Sequence, residues 1–220
     1  MVAIRDEFMH PGPQPNGLQA TKDGLWVIDQ GDNHLYKLNY ETGEILEKCA
    51  TETLYSSGVT LGGGNIWISS TYSAEIFQCN FDGTTLAKYD TPGKGIAAFA
   101  NPENQIVTGA HGMEWIDEHN MWVVVPPAQR VYLMDPETMT VNHSIPSPGV
   151  RPHGIFMHND SLWLADTGDC KIHRIAPDTG DILDVIEIPT PEVHGMTIHD
   201  GLLWFCCAET RRVCTVQLPT

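Results

Sequence analysis

Basic side chains are scarce in this sequence. Lys and Arg number 12 against 28 Asp and Glu, a formal charge of −16. Nucleic acid or an anionic membrane would need a basic face, so neither is expected as a partner. A small molecule is the expected partner, and oligomeric state is left open. Charged residues make up only 18% of the chain, with no long run of one sign, while 41% is apolar. That composition excludes a disordered segment and lets 220 residues bury a core as one domain, residues 1–220. Long apolar stretches are missing too. Nothing approaches a membrane span, and the opening MVAIRDEFMH lacks the apolar core of a signal peptide. The six cysteines show no CxxC spacing. They are expected to be mostly buried thiols of a cytoplasmic protein rather than a disulfide framework.

What the sequence does contain is a repeat. Five segments share one template: a polar residue, Gly, an apolar residue, a short turn, then a strand centred on Trp. They begin at Asn16-Gly17, Ser57-Gly58, His111-Gly112, His153-Gly154 and His194-Gly195. The tryptophans are Trp26, Trp67, Trp122, Trp163 and Trp204, spaced 41, 55, 41 and 41 residues apart. Each unit continues through a polar loop, a third strand such as HLYKLN or RVYLMD, a Gly/Asp turn and a fourth strand. Four short antiparallel strands in about 40 residues, repeated, make a β-propeller blade. The fold class is therefore all-β, a five-bladed propeller.

The fifth unit ends one strand short, and the N-terminus supplies the deficit. FMHPGPQPNG matches IPSPGVRPHG in its Gly and Pro spacing, which puts residues 2–8 on the outer edge of the last blade and removes a free sheet edge. One irregularity remains. Gly58 and Gly112 lie 54 residues apart instead of 41. The excess falls in TPGKGIAAFANPENQIVTG, residues 93–109 by the tightest bounds, either a plain surface insertion or a lid over one face.

In a propeller the first strand of each blade lines the central channel, so a once-per-blade position becomes a ring. The residue before the repeated Gly gives Asn16, Ser57, His111, His153 and His194. Three imidazoles on consecutive blades, with an open side at Asn16 and Ser57, have the pattern of a metal site with a vacant position. His111, His153 and His194 are the candidate ligands of one divalent transition metal. Zinc is the first choice, with iron and nickel also suited to imidazole. The alternative is a polar channel hydrogen-bonded to ordered water. The other seven histidines fit no ring and are expected at the surface or in turns.

Two residues before the ring stand Tyr55, Arg151 and Glu192, the catalytic candidates. Arg151 would hold an anion or oxyanion, and Tyr55 or Glu192 would move a proton. Loops expected on the same face add Tyr72, Arg130, Asp166 and Glu209, which join Asn16 and Ser57 as substrate-binding candidates.

These units resemble the NHL and SMP-30/gluconolactonase type of propeller over nearly the whole chain. The HG…LW-x-x-D form of His153-Gly154 to Asp166 is similar to that of metal-dependent lyases in that superfamily, the streptogramin B and peptidyl-hydroxyglycine lyases. The resemblance implies zinc on His111, His153 and His194, with Arg151 and Tyr55 as counterparts of the neighbouring arginine and tyrosine. Those lyases usually have six or seven blades. Plant-type glutaminyl cyclases have five, but this chain lacks their glutamine and glutamate. The expected function is a metal-dependent enzyme, a lyase before a hydrolase, lactonase or cyclase-like enzyme. A non-catalytic binding propeller is the alternative from a different class.

Overall fold

A computed structural model describes residues 3–103, 105–188 and 192–218 of the chain. Strand β1 (Ile4–Met9) runs first and belongs to the last blade. The first blade is β2 (Pro15–Thr21), β3 (Gly24–Asp29), β4 (His34–Leu38) and β5 (Ile45–Ala50). The second is β6 (Gly58–Gly62), β7 (Asn65–Ser70), β8 (Glu75–Cys79) and β9 (Thr85–Asp90). A two-stranded hairpin, β10 (Gly95–Ile96) and β11 (Val107–Thr108), interrupts the series. Then come β12 (Met113–Asp117), β13 (Asn120–Val125), β14 (Arg130–Asp135) and β15 (Thr140–Pro146) as the third blade. The fourth is β16 (Pro152–His158), β17 (Ser161–Asp166), β18 (Lys171–Ile175) and β19 (Ile182–Glu187). Finally β20 (Met196–His199), β21 (Leu202–Cys206) and β22 (Arg212–Gln217) pair with β1 to complete the fifth blade. Ile4 lies opposite Val216 and Met9 opposite Arg212, so the chain ends close the ring as the Gly/Pro match predicts.

The core is five wedges between blades rather than one central mass. On β3, Trp26 and Ile28 pack against the second blade, while Leu25 and Val27 pack against the fifth. The period-2 alternation of a strand buried on both faces produces that division. Each repeated Trp does the same job one blade further round: Trp67, Trp122, Trp163 and Trp204 all lie in the wedge shared with the next blade, and Trp204 meets the first. Cys79, Cys206, Cys207 and Cys214 are buried, in line with the expectation that most thiols are internal.

Near the axis the five inner strands nearly touch, and the repeated glycines allow it. A Cβ on Gly154 would run into the His194 carbonyl oxygen, and one on Gly112 into that of His153. A Cβ on Gly17 would sit 2.7 Å from the Gly58 Cα. Polar side chains one turn further along bind neighbouring blades together. Thr60 accepts the Trp115 amide at 2.9 Å, and Thr197 accepts the Ala20 amide at 3.1 Å. Among the described residues, no helix is long and apolar enough to cross a membrane.

Candidate active site in the axial channel

The ring residues sit at the entry to each inner strand, where the glycines pinch the backbone. Asn16, Ser57, His111, His153 and His194 are all buried, between 1% and 6% exposed. The three imidazoles form a row. His111 and His153 have ring centroids 4.5 Å apart, as do His153 and His194, both in edge-to-face contact. Burial pushes the pKa of His111 and His194 down to about 3, with the charge of Arg151 adding to the effect. The same burial, reinforced by the neighbouring histidines and Arg151, holds His153 well below its usual range. All three are therefore neutral at pH 7. Their Nδ1 atoms are buried with no hydrogen-bond partner among the described residues. Three enclosed, unpartnered nitrogens in one row are unusual, because buried polar atoms normally find partners.

That donor set suits a divalent transition metal in its chemistry: neutral imidazoles, deprotonated and desolvated. Glu192 stands beside the row: its Oε2 lies 3.6 Å from Nδ1 of His194, beyond hydrogen-bond reach, and its Oε1 lies 3.3 Å from Nη1 of Arg151. The donor atoms do not stand converged, however. No group of three His, Cys, Asp or Glu side chains among the described residues is already arranged to hold a metal ion.

Above the row lies a cavity of about 260 Å³. Of the sequence-chosen residues, Ser57, Tyr72, His111, Arg151 and His153 line it. The 93–109 insertion provides much of the remaining wall through Ala97, Phe99, Asn101, Ile106 and Thr108. The insertion thus covers the channel mouth, and the Arg151 guanidinium lies 5.5 Å from the Phe99 ring centroid. Gln30 and Thr71 also line the cavity. Gln30 donates to Ser57 Oγ at 3.1 Å and fixes that hydroxyl. These wall residues escape a reading based on repeats. The insertion has no counterpart in other blades, and Gln30 and Thr71 sit in loops of differing sequence.

Other candidates are placed elsewhere. Asp166 is fully buried and accepts the amides of Val150 and Arg151, so it braces the loop that carries Arg151. Asp29 and Ser70 hold the corresponding loops in the first two blades, accepting the amides of Gln14 and Leu54. Arg130 begins the third strand of its blade, away from the axis, and its guanidinium binds Ser144. Glu209 is exposed. Tyr55 is 47% exposed and adopts a left-handed backbone, φ 48°. Its ring lies 5.1 Å from that of Tyr72 at the cavity rim. Asn16 and His194 complete the ring beside the cavity, and the Asn16 side-chain oxygen is also unpartnered among the described residues. Two histidines correct the surface expectation. His10 is 1% exposed, accepts the Gly12 amide on Nδ1 and sits edge-on to Tyr36, while His173 is 6% exposed within β18.

No family model and no curated protein sequence matches the chain. Solved structures do. The chain is similar to a glutaminyl cyclase from Myxococcus xanthus, with TM-score 0.74 and 11% identity over 99% of this chain and 94% of that one. A luciferin-regenerating enzyme gives TM-score 0.63 and 14% identity over 99% and 96%. A virginiamycin B lyase from Staphylococcus aureus gives 0.60 and 15% over the full length of both. At such identities the likeness is one of fold. It supports a β-propeller and does not extend to the NHL and SMP-30 kinship in particular.

Proposed function

We propose that this chain is a metal-dependent enzyme, a lyase in the first instance and a hydrolase in the second. It acts on a small polar molecule in the axial cavity. The observation that carries the reading is the row His111, His153 and His194: neutral, buried, adjacent and unpartnered on Nδ1. A divalent metal there, zinc first, would act as Lewis acid and lower the pKa of a bound water or substrate hydroxyl. The protein's own groups do the rest. Arg151 holds developing negative charge beside the imidazoles. Glu192 holds one edge of the Arg151 guanidinium. Ser57, fixed by Gln30, orients a substrate oxygen. The insertion supplies one wall of the cavity. That the solved structures of like fold include a glutaminyl cyclase, a luciferin-regenerating enzyme and a virginiamycin B lyase is consistent with an enzymatic propeller.

One observation favours a second reading. The imidazole donors are not converged, which suits a metal-free, cyclase-like enzyme whose histidines hydrogen-bond the substrate directly. Metal analysis of untagged protein by mass spectrometry separates the two, with wild type beside His153→Ala. About one transition metal per chain, lost in the variant together with turnover, is the expected result. No metal in either protein after incubation with zinc or iron would defeat the metal reading, as would turnover retained without metal.

A further inference from the structure

The cavity's charge runs against the rest of the molecule. The chain carries 28 acidic and 12 basic residues, yet among the residues lining the cavity there is no carboxylate and one cation, Arg151. The carboxylates around that arginine are turned to other work: Asp166 holds two backbone amides, and Glu192 takes one edge of the guanidinium. The Arg151 side chain is about one-third exposed, so part of it is open to a ligand, and Thr108 also lines the cavity. The guanidinium is clamped in place, with Glu192 at its edge and the Phe99 ring on its face. Beyond it the wall turns apolar, with Ala97, Phe99, Ala100 and Ile106. This apolar surface continues outward, since Phe99, Ile106 and Tyr72 are each about 40% exposed, and Tyr55 leans on Tyr72.

The geometry points to a small organic anion with an apolar substituent as the ligand class of this cavity. Its anionic oxygens meet Arg151 and Thr108, and its apolar part lies under Phe99 and Ile106. This deepens the reading above and rests on it for the chemistry, since the reacting atoms would lie over the imidazole row. Size agrees. On the scale on which a cavity of about 150 Å³ holds benzene, one of 260 Å³ takes roughly ten non-hydrogen atoms. Phe99 and Ile106 come from the one blade connection that breaks the repeat, so specificity for the substituent is carried by the insertion, and specificity for charge by the fourth blade.

Isothermal titration calorimetry with three probes tests this: 3-phenylpropanoate, its neutral amide 3-phenylpropanamide, and acetate. Each is titrated into chelator-treated and zinc-incubated wild-type protein, Arg151→Gln and Phe99→Ala, with circular dichroism confirming the fold. Wild type is expected to bind the carboxylate at least tenfold tighter than the amide, with or without metal. Arg151→Gln should lose that preference. Phe99→Ala should weaken 3-phenylpropanoate and leave acetate unchanged. Equal affinity for carboxylate and amide overturns the proposal, as does no binding of either at millimolar concentration, or a preference that survives in folded Arg151→Gln. Binding that vanishes on chelation alone would place the anion on the metal rather than on Arg151, overturning this inference while upholding the metal site.

Discussion

Replacing His153 with Leu separates what the imidazole row does for stability from what it does for function. In metal-free protein His153 is 1% exposed and its Nδ1 lacks a partner among the described residues. Leaving a buried polar atom unsatisfied costs about 1–3 kcal/mol. Leu fills a similar volume without that penalty, but gives up the edge-to-face contacts to His111 and His194, each worth about 0.5–1.5 kcal/mol. The two effects, about 1–3 kcal/mol in each direction, roughly cancel, so in chelator the variant should melt within ~2–4 °C of wild type. Zinc should then favour wild type. At a hundredfold excess over Kd it stabilises only the protein that binds it, by about 2.7 kcal/mol, or ~5–11 °C. Differential scanning calorimetry in chelator and then in zinc reads both effects. If His153→Leu melts several degrees below wild type in chelator, the imidazole is satisfied and the argument from orphaned nitrogens fails. If wild type gains nothing from zinc at millimolar concentration, the metal reading fails.

Acid should unfold the protein early. The folded pKa of each imidazole in the row is depressed, so the unfolded state binds more protons below pH 6.5. Stability then falls as pH drops below 6.5, down to about 3 for His111 and His194, by up to about 1.4 kcal/mol per pH unit for each histidine; urea unfolding of His153→Leu below pH 6.5 should show the slope reduced by one such contribution, and an unchanged slope would refute it. Glu114 works in the opposite direction. Burial raises its carboxyl to about 8, against the pull of the Met157 amide, so its contribution is full below pH 4.5 and is lost as pH rises to 8, and Glu114→Gln should remove that decline when the titration is extended to pH 8. At the axis, Gly154→Ala forces a Cβ onto the His194 carbonyl oxygen and should cost about 1–3 kcal/mol or more. Gly95→Ala, where the nearest outside atom is 3.6 Å away, should stay within about 0.5 kcal/mol of wild type, and equal losses at the two positions would contradict the close approach of the inner strands.

Much of the architecture was legible because a propeller writes itself into sequence five times. A Trp at one register per blade could mean only one kind of packing, and the structure puts all five in the wedges between blades. The ring of polar residues before the glycines was legible for the same reason. Proximity in sequence to that ring proved a weaker guide. Arg151 and Glu192 do lie at the site, but Tyr55 is set at the rim, where a left-handed backbone carries it beside Tyr72. Asp166 looked like a ligand-facing acid and is a loop brace. The signal was available, since Asp29 occupies the same register in the first blade and does the same work. His10 was invisible to the repeat logic because its partner, Asp29, lies 3.4 Å away in space but in a different segment. Phe99, Ile106 and Thr108 had no repeat to announce them at all.

The pinch at the axis also determines how the site is reached. Below the imidazole row, Leu18, Val59, Met113, Ile155 and Met196 alternate with the glycines around a void of about 10 Å³, room for at most about one water. The axis is narrow at that level, and the larger cavity lies on the side that carries the insertion. Burial holds the imidazoles neutral at pH 7. On the proposed function, a substrate would reach Arg151 past the exposed Tyr72, Phe99 and Ile106. The residues that vary the rim can thus alter affinity without touching the ring that the fold repeats.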